Sequence, residues 1–498
     1  MKRSKKILSL MLCFVMAFAV AMPAFASAES IQCPTIYIPG IASSHVFADK
    51  DDTSEYIDVP DKETLTAALQ NEIAPALLVY AADGDVDKLA HKVSDVANEL
   101  LADWFNNPDG TPKGNAGVVN AYPSRITKNS RLAFYYDWRG DPFVLASQLN
   151  DYINYVIEKS GCDKVALTSH SMGSIVILTY LSVYGDDKVT GIVFDTPAIE
   201  GVAYAGELLC GKAEITAEAV STFFKGVLNV TDYDDLVSSS LDILEMAGVS
   251  DLAAGFLDDV LKKIGPVFFR ETLVPLFGCW LTIWAMCPEE KVEQAIEVVF
   301  GDTTDEDALA LKEKIADYNE LVRKDRKETL FNFDEKGRFA VISRYGYSSL
   351  PITASWALLG DSVLETQCSS FGATTAVPGD YFSDEYLEGK DMKYISPDKT
   401  VDASTCLFPE KTWFIKNILH AEASETIRLH SQLLFGEEEA TCDNFQLPRF
   451  TIYDYDTDTF NPDDSVPVKA EKLSPLQRLF NFLKAVFDKL ISYFKNKK

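Results

Sequence analysis

Between Val165 and Pro197 the chain reads "VALTSHSMGSIVILTYLSVYGDDKVTGIVFDTP". Strand-formers stop at Ser-His-Ser-Met-Gly, an apolar helical pattern follows, and a second β-branched run closes the stretch. Two strands joined through a helix run parallel, and a parallel sheet requires helices on both faces. The same alternation precedes it. "TIYI" (Thr35–Ile38) is a short strand before a Pro-Gly turn, "RLAFYYDW" a second strand, and "PFVLASQLNDYINYVIEKSG" a helix. The expected fold is therefore α/β, a mostly parallel sheet flanked by helices, with ligands at the carboxyl ends of the strands.

The alternation stops from about Ile199 to Gly337, where the text reads largely helical and includes the apolar run "GPVFFRETLVPLFGCWLTIWAMCPEE". Strand-like text resumes at "RFAVISRYG", "MKYIS" and "TWFIKNI". A helical block between strands of one sheet is an inserted cap. The division is a core in two parts, 29–198 and 338–450, a cap at 199–337, a linker at 451–474 and a basic amphipathic helix at 475–498. That last helix aligns Leu476, Leu479, Phe480, Leu483, Phe487, Leu490, Ile491 and Phe494 on one face. Contact with a membrane surface and docking on the protein's own core both fit such a face.

Residues 1–28 have the basic head, apolar middle and small-residue cleavage site of a secretory signal, so a secreted protein is expected. Its removal takes away Lys2, Arg3, Lys5 and Lys6 and carries the formal charge from −29 to about −33. An acidic body of this kind repels phosphate backbones, which argues against a nucleic-acid partner. Of nine cysteines, one lies in the signal, and the others show neither CxxC spacing nor a Cys/His zinc pattern, so no metal or other cofactor is expected.

The Ser-His-Ser-Met-Gly junction carries the chemistry. A nucleophile elbow, Gly-x-Ser-x-Gly, sets its serine on a strained strand-to-helix turn between small residues; here Ser169 stands at the first glycine and Ser171 at the nucleophile. A plain structural turn also favours Ser and Gly, so the rest of the chain decides. A serine nucleophile needs a base, and there are five histidines. His170 adjoins Ser171, His45 and His91 precede it against the Ser, acid, His order, and His430 falls inside a helical pattern. His420, in the loop after "TWFIKNI", remains. The acid should follow a strand before it. Asp398, after "MKYIS", is preferred to Asp361 in "LLGDSV" and to Asp402. Backbone N–H groups of Met172 and of Ile41, in "IPGIASS", are the expected oxyanion donors. Trp280 and Trp284 of the cap are candidates for substrate binding, against the alternative of ordinary core packing.

Together these segments resemble the lecithin–cholesterol acyltransferase and lysosomal phospholipase A group of α/β-hydrolases. "IYIPGIASS" resembles its Pro-Gly oxyanion loop, "YYDWRGDP" its Tyr-Asp-Trp-Arg segment, and "VALTSHSMGS" its elbow, in family order. "SRYGYSSLP" and "DKTVDAS" resemble later segments, although the acid loop reads Ser-Pro-Asp-Lys where the family usually has Gly-Asp-Gly. The resemblance implies an α/β-hydrolase fold with Ser171, Asp398 and His420 as a triad. It also implies a disulfide bracketing the acid loop, Cys368 with Cys406 here, and a lipid acyl ester as substrate, with hydrolysis or transfer to an alcohol as the outcome. A non-catalytic binding protein on the same fold is the alternative from another class.

Overall fold

The computed structural model describes residues 33–57, 64, 67–212, 219, 263–436 and 438–468. The expected signal segment and the C-terminal amphipathic helix lie outside the described residues, as does cap sequence between residues 213 and 262 apart from residue 219.

Eight strands form the central sheet: β1 (Thr35–Ile38), β2 (Arg131–Ala133), β3 (Val165–His170), β4 (Val189–Asp195), β5 (Arg338–Tyr345), β6 (Thr412–Lys416), β7 (Phe450–Asp454) and β8 (Thr459–Pro462). They lie in the order β8-β7-β6-β5-β4-β3-β1-β2. All neighbours are parallel except β7 and β8, which close one edge as an antiparallel pair. β3 is buried along its whole length, which is why "VALTSH" shows no polar alternation.

Among the helices that pack on the sheet are α1 (Pro142–Ser160), α2 (Gly173–Tyr184) and α3 (Ala423–Phe435). α1 starts where Asp141 caps the N–H of Phe143 with Pro142 at its first position, and it stops at Gly161 in the left-handed region. Nine residues of α2 are buried in succession, so it lies inside the core rather than on its surface. The described residues of 199–337 enter between β4 and β5 and carry helices at Ala203–Leu209, Val292–Phe300, Glu306–Tyr318 and Arg326–Asp334.

Three sequence expectations change. "RLAFYYDW" forms a strand only over its first three residues: the Phe134 N–H still donates to the Tyr37 carbonyl, and from Tyr135, whose N–H donates to Asn120 Oδ1, the chain leaves the sheet edge. "MKYIS" is no strand of the sheet: Met392–Tyr394 is a 3₁₀ turn, and β6 pairs directly with β5. The linker expected at 451–474 begins instead as the β7–β8 hairpin, anchored by the buried Tyr453.

Candidate active site

Ser171 follows the last residue of β3 and has φ 53°, the strained left-handed conformation an elbow imposes. Its N–H donates to the carbonyl of Asp195 at the end of β4 (2.9 Å), which holds the turn. α2 begins two residues later, and the close approach there explains Gly173: a Cβ at that position would stand 2.2 Å from the Ile38 carbonyl oxygen.

His420 lies beyond the end of β6, and its Nε2 is 3.0 Å from Ser171 Oγ. Nδ1 is 2.7 Å from Asp361 Oδ2, and the His420 N–H donates to the Asp361 carbonyl at 2.9 Å. Asp361 Oδ1 accepts the N–H groups of Val363 and Leu364, which fixes the carboxylate. Ser171, His420 and Asp361 are all buried.

The acid expected from sequence is thus corrected. Asp398 makes no bond to His420; its Oδ2 meets Lys416 Nζ at 2.5 Å, and Ser396 and Thr400 donate to its Oδ1. Burial works against its charge, and Lys416 with Ser396 outweighs burial and holds the carboxyl below its usual range. Asp402, the other competitor, accepts from Tyr386, Lys390 and Ser404. A sequence signal for Asp361 exists in the glycine before it. Gly360 folds back so tightly that a Cβ would lie 2.2 Å from the Leu364 carbonyl oxygen. "LLGDSV" therefore supplies the Gly-Asp that "SPDK" lacks.

His170 contributes its ring rather than a bond, packing 4.6 Å from His420 centroid to centroid. Burial first, then His420, hold it well below the usual histidine range, so it stays neutral. His430 sits in α3 beside Asp195 (3.4 Å), away from Ser171.

Ile41 and Met172 flank the elbow, and among the described residues neither N–H has a protein acceptor. The loop carrying Ile41 is braced by the Tyr-Asp-Trp-Arg segment. Tyr136 donates its hydroxyl to the Pro39 carbonyl (2.8 Å), and Trp138 Nε1 donates to the Ser44 carbonyl (3.3 Å). Arg139, itself buried, is paired to Asp137 and donates to the Asp103 carbonyl.

Two further expectations are overturned. Trp280 and Trp284 are fully buried, and their indole N–H groups donate to the carbonyls of Trp104 and Gly278. Both rings belong to the packed core and offer no surface to an acyl chain. Cys368 and Cys406 are separate thiols: Cys368 faces the Pro197 carbonyl and Cys406 the Ala403 carbonyl. Among the described residues, no group of three or more His, Cys, Asp or Glu side chains is placed to hold a metal ion.

Residues 100–234 match the family model described as alpha/beta hydrolase fold. With the eight-stranded, mostly parallel sheet, the chain has the α/β-hydrolase fold. No curated protein matches it. A solved structure titled "The crystal structure of Tle4-Tli4 complex" aligns at 16% identity with a TM-score of 0.20, over 36% of this chain and 48%, about half, of that one.

Proposed function

We propose that this α/β-hydrolase-fold chain is a secreted serine hydrolase of lipid acyl esters. The carrying observation is the bonded line from Ser171 Oγ through His420 to Asp361. In this reading His420 Nε2 takes the Ser171 proton as Oγ attacks the ester carbonyl. The N–H groups of Ile41 and Met172 receive the oxyanion, and Asp361 stabilises the imidazolium. The proton then passes to the departing alcohol. Water, deprotonated in turn by His420, releases the acyl group as an acid and restores Ser171.

The lipid preference rests on the resemblance in the oxyanion loop, the Tyr-Asp-Trp-Arg segment and the elbow. The basic amphipathic C-terminal sequence suits contact with a lipid surface. An alcohol acceptor in place of water gives the acyltransferase outcome from the same acyl-enzyme. The test is a fluorophosphonate probe followed by a panel of esters of increasing chain length on the mature protein. Labelling and turnover of wild type, both lost in Ser171→Ala, are expected. A wild type that neither labels nor turns over esters refutes the reading and favours a binding protein. Product analysis with and without added alcohol separates hydrolysis from transfer.

A further inference from the structure

Beneath the Ser171–His420 contact lies a fully buried ion pair. Arg344, near the end of β5, and Asp195, the last residue of β4, are both 0% exposed. Arg344 Nη1 donates to the carbonyls of Leu419 (2.8 Å) and His420 (3.2 Å). Nη2 donates to both Asp195 carboxylate oxygens (3.1 and 3.0 Å) and to Thr426 Oγ1 (2.8 Å). The Thr426 hydroxyl in turn donates to Asp195. The main-chain carbonyl of Asp195 is the acceptor for the Ser171 N–H.

A buried pair of this kind contributes little net stability, because a well-packed apolar pair fills the same volume without desolvating two charges. What distinguishes this pair is its connections: one partner is bonded to the backbone of position 420, the other to the backbone of position 171. We propose that Arg344 and Asp195 are positioning residues, a charge-balanced clamp that fixes the imidazole of His420 against Ser171 Oγ. The inference rests on the serine-hydrolase reading.

The clamp has an electrostatic consequence. The groups facing His420 are Asp361 on Nδ1, Ser171 on Nε2, the neutral His170 ring, Arg344 at its carbonyl, and Asp195 and His430 behind Arg344. Glu422, which accepts the Leu419 N–H, lies on the same loop. Burial pushes the Asp195 carboxyl up, but Arg344 and His430 more than offset this and keep it an anion. Removing one charge of the pair therefore leaves the other acting alone on the imidazolium.

The experiment measures the rate of fluorophosphonate reaction against pH, with a thermal melt of each variant as the check on folding. Asp195→Asn leaves the guanidinium unbalanced, so the acid limb moves to lower pH. Arg344→Gln leaves the carboxylate unbalanced, so the limb moves to higher pH. Arg344→Lys keeps the charge without reaching all the acceptors. Its limb stays in place while the plateau falls on the order of 10–100-fold. Shifts of the same sign in the first two variants, or a wild-type plateau in the third, overturn the clamp while leaving the serine-hydrolase reading intact. A wild type that does not react overturns both. Should the Arg344 variants not fold, Thr426→Val keeps both charges and loses one bond to each. A roughly threefold lower plateau with an unmoved limb supports the clamp, and an unchanged plateau refutes it.

Discussion

In the turn at residues 360–365, Asp361 Oδ1 accepts two backbone N–H groups; in the turn at 396–402, Asp398 Oδ1 accepts the Thr400 N–H and two hydroxyls. Both carboxylates are buried and fastened by one oxygen to their own loop. The remaining oxygen differs. That of Asp361 meets an imidazole, and that of Asp398 meets an ammonium. A third acid, Glu365, is buried four residues from Asp361 and among the described residues meets only neutral donors, such as the Ala203 N–H and the Ser349 hydroxyl. Burial pushes its carboxyl up to about 7. Turn chemistry sets where an aspartate points; the partner across the loop sets what it does.

The sharpest way to break this comparison is Asp361→Asn. The amide keeps the turn but supplies no charge to the imidazolium, so kcat should fall about 10⁴-fold, or about 5 kcal/mol of barrier, with folding retained. Steady-state kinetics on a short-chain ester read this, and a loss under tenfold sinks the assignment of Asp361 over Asp398.

Glu365 tests whether neutral donors leave a buried acid protonated. The folded protein holds its proton up to about 7, whereas the unfolded chain releases it near 4.5. Its contribution is full below pH 4.5 and is lost as pH rises through 7, amounting to about 3 kcal/mol. Urea melts of Glu365→Gln against wild type at pH 5 and 8 should show the variant gaining relative stability at the higher pH by that order.

The smallest effect is expected at Asp398→Asn. Lys416 loses its carboxylate partner but keeps Ser465, and stability falls by about 2 kcal/mol, less than for a fully buried pair because Lys416 retains some exposure. Ester turnover should stay within about threefold of wild type. A collapse of kcat in a folded Asp398→Asn protein would return the acid role to that residue.

The parts of the fold that repeat a period were legible in the sequence. β1, β3, β4 and the helices α1 and α3 follow from alternation of apolar runs with helical spacing, and Ser171 and His420 follow from the elbow and from chain order. The acid was not legible from periodicity, only from the Gly-Asp pair, because it stands on no strand of the central sheet. Asp361 lies in an irregular excursion after β5, positioned by Gly360 and by a two-residue strand pairing Leu359–Gly360 with Tyr347–Ser348. Periodicity carries no information about such a loop. Trp280 and Trp284 misled for a related reason: an apolar stripe in a cap has the same composition whether it lines a channel or fills an interior.

The cluster around Trp280 has one more consequence. Its ring lies 5.9 Å from that of Trp104 and 5.0 Å from that of Trp138, so a cap residue is wedged between two residues of the core. Swinging this corner outward would unstack three indoles and wet them, at a cost of several kcal/mol. It therefore acts as a pin against opening at this corner, and a ligand bound for Ser171 needs a door elsewhere. The same wedge is an optical gauge: a red shift of intrinsic emission on substrate binding would report that the pin had been drawn.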